Sequence, residues 1–402
     1  MNNQINNNYK MELDGLRAIA VLSVVIYHAE LKYKGFSLLS GGFLGVDIFF
    51  VLSGFLITGI LINKNPTIFA FYKSRIDRIY PALILMLFFS SIFAYKFLSP
   101  NDLLKFVESL KGALGFYSNY IFMNEDSYVA DESRYKALLH TWSLGVEWQY
   151  YLIFPFIIYT IKKFLSSKFE LILIFLFVIS FFYCLYLMQI NSTYAFYSTF
   201  SRVWQLFSGG IIFLVSKKLK DSSYDGFLSI FGLIIIIYCL LFFKDTDNHP
   251  GFISLIVVFG TSLFILFTKT KTIVHNIVTL RISIFFGVIS YSLYLFHQPI
   301  LVFYRLAYGE VNTKSFILLG ILMILLSYLS YRFFENPMRK SKNNWKYFLV
   351  FIPIMLMFFF INEVKDSNGF KKNQPDIMTK SLQHFEVVEF RRLHSNIAGT
   401  TI

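Results

Sequence analysis

Apolar runs of membrane-crossing length alternate with short polar joints along most of this chain. Leu171–Met188 is broken only by Ser180, and Phe227–Phe243 only by Ser229 and Gly232. A helix that crosses the hydrocarbon core needs about 20 mostly apolar residues. Read this way, the pattern predicts spans at roughly 16–33, 44–62, 80–97, 148–163, 169–189, 201–216, 226–243, 251–268, 282–304, 315–334 and 346–362. The expected fold is all-α: a polytopic transmembrane helical bundle of about ten core spans, with an eleventh before a short external tail. The domain reading follows, with a membrane domain over 1–340, an additional helix over 341–362 and a polar linker or tail over 363–402. No internal repeat of the kind that marks inverted-repeat transporters is visible.

Composition agrees. Hydrophobic residues make up 56% and charged residues 15% of the 402 positions, with a mean hydropathy of +0.57. A soluble domain carries roughly 25% charge to keep its surface wet. The net charge of +13 does not indicate nucleic acid, because the basic residues do not gather on one polar domain. They cluster between apolar runs, at Lys162/Lys163/Lys168, Lys217/Lys218/Lys220, Lys269/Lys271 and Arg339/Lys340/Lys342/Lys346. The positive-inside rule then puts the N-terminus in the cytoplasm and the end of the chain outside. Cys184 and Cys239 lie within apolar runs, without metal-ligand spacing, and read as small buried residues. No cleavable signal peptide is evident ahead of the first span.

Polar groups inside such spans are costly and therefore candidates for chemistry. Arg17 and His28 are eleven residues apart, almost three whole turns, so they share a helix face about 16 Å apart along its axis. An imidazole at membrane depth suits a general base; a hydrogen-bonding tether between helices is the bland alternative. Asp47 and Ser53 interrupt the next span, where Asp47 needs a partner and His28 is one possibility. Arg75 and Arg78, at i and i+3, are neighbours on a turn and suit bidentate phosphate binding, although basic joints also arise from topology alone. His140, Ser143 and Glu147 form a helical stripe where the fourth span enters from outside, placed to bind sugar hydroxyls or move a proton. The nearby Trp and Tyr residues could equally be an aromatic belt. Tyr291 and His297 occupy a later span, and Glu335 and Arg339 a later cytoplasmic helix end. Glu335 and Arg339 could complete a phosphate pocket with Arg75 and Arg78.

Taken together and in this order, Arg17 with His28, Gly45–Val46–Asp47, Arg75/Arg78, His140–Glu147, Tyr291–His297 and Glu335–Pro337 resemble the acyltransferase-3 family of integral-membrane O-acyltransferases. The resemblance covers residues 11–340. It implies an acyl-CoA donor, often acetyl-CoA, reaching the core from the cytoplasm, and a carbohydrate acceptor of the bacterial cell envelope. It also implies an essential His28–Arg17 pair, Arg75 and Arg78 near the CoA, residence in the cytoplasmic membrane, and no metal. The expected roles are catalytic for His28, Arg17, Glu147 and Asp47; donor-binding for Arg75, Arg78, Glu335 and Arg339; and substrate-binding for His140, Ser143, Tyr291 and His297. Gln205 stands where similar proteins commonly have Glu, so it receives no acid–base role. Many relatives with an eleventh span also carry an external hydrolase-like domain with a Gly-Asp-Ser motif, which does not occur here. The expectation is that this protein works alone, that such a domain is a separate partner, or that the chain ends in the linker before it. A transporter of a glycan or lipid-linked intermediate, and a non-catalytic scaffold, are the rival readings.

Overall fold

In the computed structural model, which describes residues 10–125, 133–165, 168–244, 249–341 and 347–370, each predicted span falls on a helix. These are α1 (Met11–His28), α2 (Gly45–Gly59), α3 (Ile68–Phe97), α4 (Pro100–Leu114), α5 (Thr141–Phe164), α6 (Phe169–Ile190), α7 (Thr199–Lys218), α8 (Asp225–Phe242), α9 (Phe252–Phe267), α10 (Arg281–Tyr308), α11 (Thr313–Ser330) and α12 (Phe348–Asp366). The additional helix, α4, lies in the joint after α3. Two-residue strands, Lys32–Tyr33 and Phe36–Ser37, pair as the one small hairpin among the described residues. The expected external tail beyond 370 lies outside the described residues.

Local chemistry sets several helix starts. Thr67 accepts the Ala70 amide and caps α3, Ser99 accepts the Asp102 amide ahead of Pro100 in α4, and Asn312 with Ser315 forms a capping box on α11. Each cap satisfies backbone donors that no helical carbonyl can reach.

Seven described helical segments are long and apolar enough to cross a bilayer, and Phe252–Phe267 is apolar but shorter. Helices α1, α5 and α7 fall outside that group because they carry polar groups inward. Buried polar positions include Asp14 on α1, Ser143 on α5, and Arg202 and Gln205 on α7. The rest of the bundle shelters them. The best window of Gly42–Lys64 is 67% buried, against 22% for Phe169–Ile190 and Thr313–Lys340 and 17% for Phe348–Asp366. The last three therefore form the lipid-facing perimeter, with Phe175, Ile179, Leu318 and Phe359 turned outward. The protein is a multi-pass membrane protein.

Helix α2 packs along α7, α1 along α10, α8 along α9, and α12 against α3 and α4. The α2–α7 contact is a backbone-to-backbone seam. A Cβ at Gly54 would collide with the Leu206 carbonyl, and one at Gly209 with the Val51 carbonyl. Only glycine permits this approach.

Several expected boundaries shift, most of all those of the first and third helices. The first helix begins at Met11 and ends at His28, rather than running on to 33. It starts early because Asp14 pairs with Arg17 within the first turns while Leu13 and Leu16 are buried. It stops because Glu30 takes a left-handed φ of 54° before the hairpin. His28 is thus the last residue of its helix. Helix α3 starts at Ile68 rather than near 80, so Arg75 and Arg78 stand on a rigid helix instead of a joint.

Candidate functional site

Early in α3, Arg75 and Arg78 lie one turn apart. Arg75 is only 8% exposed. Its guanidinium lies 5.8 Å from the centre of the Phe71 ring, and Nη2 donates to Ser74 Oγ at 3.0 Å. Its Nε has no hydrogen-bond partner. The adjacent carboxylate, Asp77, is engaged by Lys73 at 3.1 Å and by the Tyr347 hydroxyl at 2.9 Å. Among the described residues no carboxylate lies at ion-pair distance from Arg75 or Arg78, whereas Arg17 is paired with Asp14.

All three arginines line one cavity together with Ser53, Ser143, Glu147, Tyr151, Tyr291 and Tyr294. Its free volume is about 100 Å³. At roughly 30 Å³ per water, that is room for about three waters or a group the size of acetyl. A larger ligand must leave most of its body at the mouth. Glu147 accepts hydrogen bonds from Ser53 Oγ and the Tyr151 hydroxyl, which fixes the carboxylate among the arginines. Tyr291 donates to the Ile79 carbonyl at 2.7 Å and so joins α10 to α3.

The grouping of His140 with Glu147 at one mouth is corrected here. Seven residues of helix separate them by about 10 Å. Glu147 faces the arginine cavity, while His140 sits just ahead of α5 in a separate cluster of imidazoles. Ser143 bridges the two regions: its Oγ lies 2.7 Å from the Tyr294 hydroxyl, which itself donates to the His140 carbonyl at 2.8 Å.

His297 is one turn beyond Tyr294 on α10 and fully buried. Its ring centre lies 5.3 Å from that of His28 and 5.5 Å from that of His140. Neither ring nitrogen of His140 has a hydrogen-bond partner, and neither does Nε2 of His297. His28 itself is half-buried at the end of α1, and its carbonyl accepts from Arg305. Arg305 and Arg134 converge on Glu30 at 4.0 and 3.5 Å, and Arg134 also pairs with Glu310 at 2.9 Å. This ion-pair group holds the histidine end of α1 against α10.

Asp47 does not meet His28. It is fully buried and held by Gln205 Nε2, by His249 Nε2 at 3.1 Å and by Arg202 at 3.5 Å. Arg202, also fully buried, lies within a cage formed by the Phe50, Trp142 and Phe196 rings. This network joins α2 to α7 and to the segment before α9. Asp47 is therefore separated from the cavity, which Val46, Phe49 and Phe50 line on either side of it in sequence.

Glu335 ends a π-helical turn after α11, is 4% exposed and accepts from Ser292 Oγ. It stands within electrostatic reach of Arg78 and Arg339. Neither Glu335 nor Arg339 lines the cavity. Among the described residues no cluster of His, Cys, Asp or Glu is arranged to hold a metal ion.

Sequence reading left Tyr294, Tyr151, Arg202, His249 and Arg305 without roles. Tyr294, at i−3 from His297, carried the clearest signal. Tyr151 bonds Glu147 at i−4 on its own helix, whereas Arg202, His249 and Arg305 meet their partners only through tertiary packing.

The arrangement can bind an anion where two uncompensated guanidiniums face a cavity. Next to it stand the imidazoles of His28, His140 and His297, which carry nitrogens able to accept or donate a hydrogen bond. A family profile described as an acyltransferase domain matches residues 11–361. A Staphylococcus aureus (strain MSSA476) protein provisionally named an O-acetyltransferase is 30% identical over 362 residues, 84% of this chain and 59% of its own length. The O-acetyltransferase OatA of S. aureus (strain NCTC 8325 / PS 47) is 29% identical over 367 residues, 83% and 58% of the two chains. This chain thus spans less than two thirds of these relatives. No solved structure matches.

Proposed function

The chain belongs to the family defined by that acyltransferase domain, and from that premise we propose that it is an O-acyltransferase. It moves an acyl group, acetyl by preference, from acyl-CoA to a hydroxyl of a cell-envelope or exported carbohydrate. The observation that carries this reading is the convergence of Arg17, Arg75 and Arg78 on a cavity whose Ser143–Tyr294 end adjoins His28, His140 and His297. Arg75 and Arg78, supported by Glu335 and Arg339, hold the CoA phosphates at the mouth. The small cavity admits the thioester end. His28 takes the proton of the acceptor hydroxyl as its oxygen attacks the thioester carbonyl, and the thiolate leaves. His140 and Ser143 line the acceptor's approach. The acceptor carbohydrate arrives from outside the bacterial cytoplasmic membrane, with the N-terminus of the chain inside. A glycan transporter would have no use for two guanidiniums, those of Arg75 and Arg78, facing a cavity with no carboxylate at ion-pair distance among the described residues.

Purified protein in lipid nanodiscs, given acetyl-CoA and an envelope glycan, should add an acetyl mass increment to the glycan. A positioned general base contributes roughly 10²–10⁴-fold, so His28→Gln should lose at least about two orders of magnitude in transfer. Near-normal transfer by His28→Gln at normal expression would make His28 a structural tether and overturn the mechanism.

A further inference from the structure

His297 Nδ1 lies 2.5 Å from the Tyr294 carbonyl oxygen. A carbonyl oxygen can only accept, so Nδ1 must carry the hydrogen. In the neutral ring Nε2 is then a bare lone pair, and this atom has no partner in a fully buried position. Two imidazoles lie beside the His297 ring, those of His28 and His140, with ring centres 5.3 and 5.5 Å away. Neither ring nitrogen of His140 is bonded either, and His28, whose ring centre is the nearer, is the base that needs orienting in the proposed transfer.

We infer that His297 is the positioning residue for His28: its Nε2 accepts the N–H of His28 and so fixes which His28 nitrogen is left bare for the acceptor hydroxyl. This rests on the acyl-transfer reading and extends it. The third group that orients a general base is commonly a carboxylate. Here the one buried carboxylate on α2, Asp47, is committed to Arg202, Gln205 and His249. A neutral imidazole, oriented by a backbone carbonyl, takes that place. In the reaction the acceptor O–H bond breaks and its proton moves to the bare nitrogen of His28. The acceptor oxygen bonds to the acyl carbon, the carbon–sulfur bond breaks, and the departing thiolate receives the proton from His28. His297 neither gains nor loses a proton over the cycle.

Two variants of the full chain separate this role from packing. In His297→Asn the amide keeps a donor for the Tyr294 carbonyl but has no acceptor at the Nε2 position, whereas in His297→Gln an acceptor oxygen reaches it. With donor and acceptor KM held within about twofold, kcat should fall by about 100-fold or more in the asparagine variant, in the range of general-base effects. It should be substantially restored in the glutamine variant. Equal kcat values in the two variants, or a loss confined to KM, would overturn the proposal. A second reading does not depend on activity. Nitrogen-15 spectra of histidine-labelled protein should show a His297 signal with Nδ1 protonated and Nε2 bare. In the same spectra, the single His28 tautomer of the parent should be lost in His297→Asn and kept in His297→Gln. A His297 protonated at Nε2, or a His28 signal unmoved by His297→Asn, would overturn the proposal even if the chain transferred no acyl group. Absent transfer by the parent protein would instead count against the acyl-transfer reading.

Discussion

Replacing Arg75 and Arg78 with alanine removes two cavity-lining cations that have no carboxylate at ion-pair distance among the described residues. A hydrogen bond to a charged group contributes about 1.5–3 kcal/mol, or about 10- to 150-fold in affinity at 1.4 kcal/mol per decade. Each single variant should therefore bind acyl-CoA that much more weakly, with Arg78, the more exposed, at the lower end. The two share a site, so their effects are not independent, and the double variant should approach but not exceed a loss of about 10⁴-fold. Folding should survive. Glu147 keeps its hydrogen bonds from Ser53 and Tyr151, so no buried carboxylate is orphaned. Lysine at both positions restores charge without the bidentate fork and should recover only part of the affinity. The assay is equilibrium binding of a non-hydrolysable acyl-CoA analogue to protein in nanodiscs, with a thermal-unfolding control. Affinity within twofold of the parent in a well-folded double variant would refute the assignment of this cavity to the donor.

Three further outcomes are expected. A reporter fused after Glu363 should be found outside the cell and one inserted in 217–225 inside; the reverse would invert the sidedness of both substrates. Asp47→Ala should destabilise the solubilised protein by about 3–5 kcal/mol, the usual cost of stranding a buried charge, here Arg202, and a loss below about 1 kcal/mol in chemical denaturation would contradict the network. On α4, partial burial tends to raise the Glu108 carboxyl, but its hydrogen bond to Lys365 and the charges of Lys365 and Lys111 hold it below the ordinary glutamate range. A depressed carboxyl stabilises the fold above its unfolded-state pKa and loses that contribution as pH falls through the folded value. Amide protection at the end of α12, corrected for the intrinsic exchange rate at each pH, should accordingly fall only at acid pH, and Glu108→Gln should remove that dependence.

The helices were legible because a bilayer demands long apolar runs, and such runs need no tertiary information to be seen. Their ends were not. The left-handed Glu30 that terminates α1 carries no hydrophobic signature, and the amphipathic start of α3 from Ile68 falls outside any apolar window. Within the site, i to i+3 and i to i+4 neighbours were readable, as with Arg75 and Arg78. Longer spacings misled. His140 and Glu147 share a stripe, yet about 10 Å of helix assigns them to different regions. Asp47 was seen to need a partner, but Arg202, Gln205 and His249 lie more than 150 residues away in sequence, where periodicity has nothing to say.

The glycine seam between α2 and α7 bears on how the molecule moves. Shear between helices relies on side chains that slip past one another while the backbones stay apart. Where Gly54 rests on the Leu206 carbonyl and Gly209 on that of Val51, no such layer exists, and the two helices can shift only as a single lever. Ser53 and the Asp47–Arg202 network ride on that lever without changing their mutual positions. Across the cavity, α3 carries Arg75 and Arg78 and meets α10 through the Tyr291 hydroxyl rather than through fused backbones, so an opening that admits a bulky donor is easiest along α3. The cavity has a hinged side and an anvil side, and two of its three arginines, Arg75 and Arg78, stand on the hinged side where they would sense an arriving phosphate.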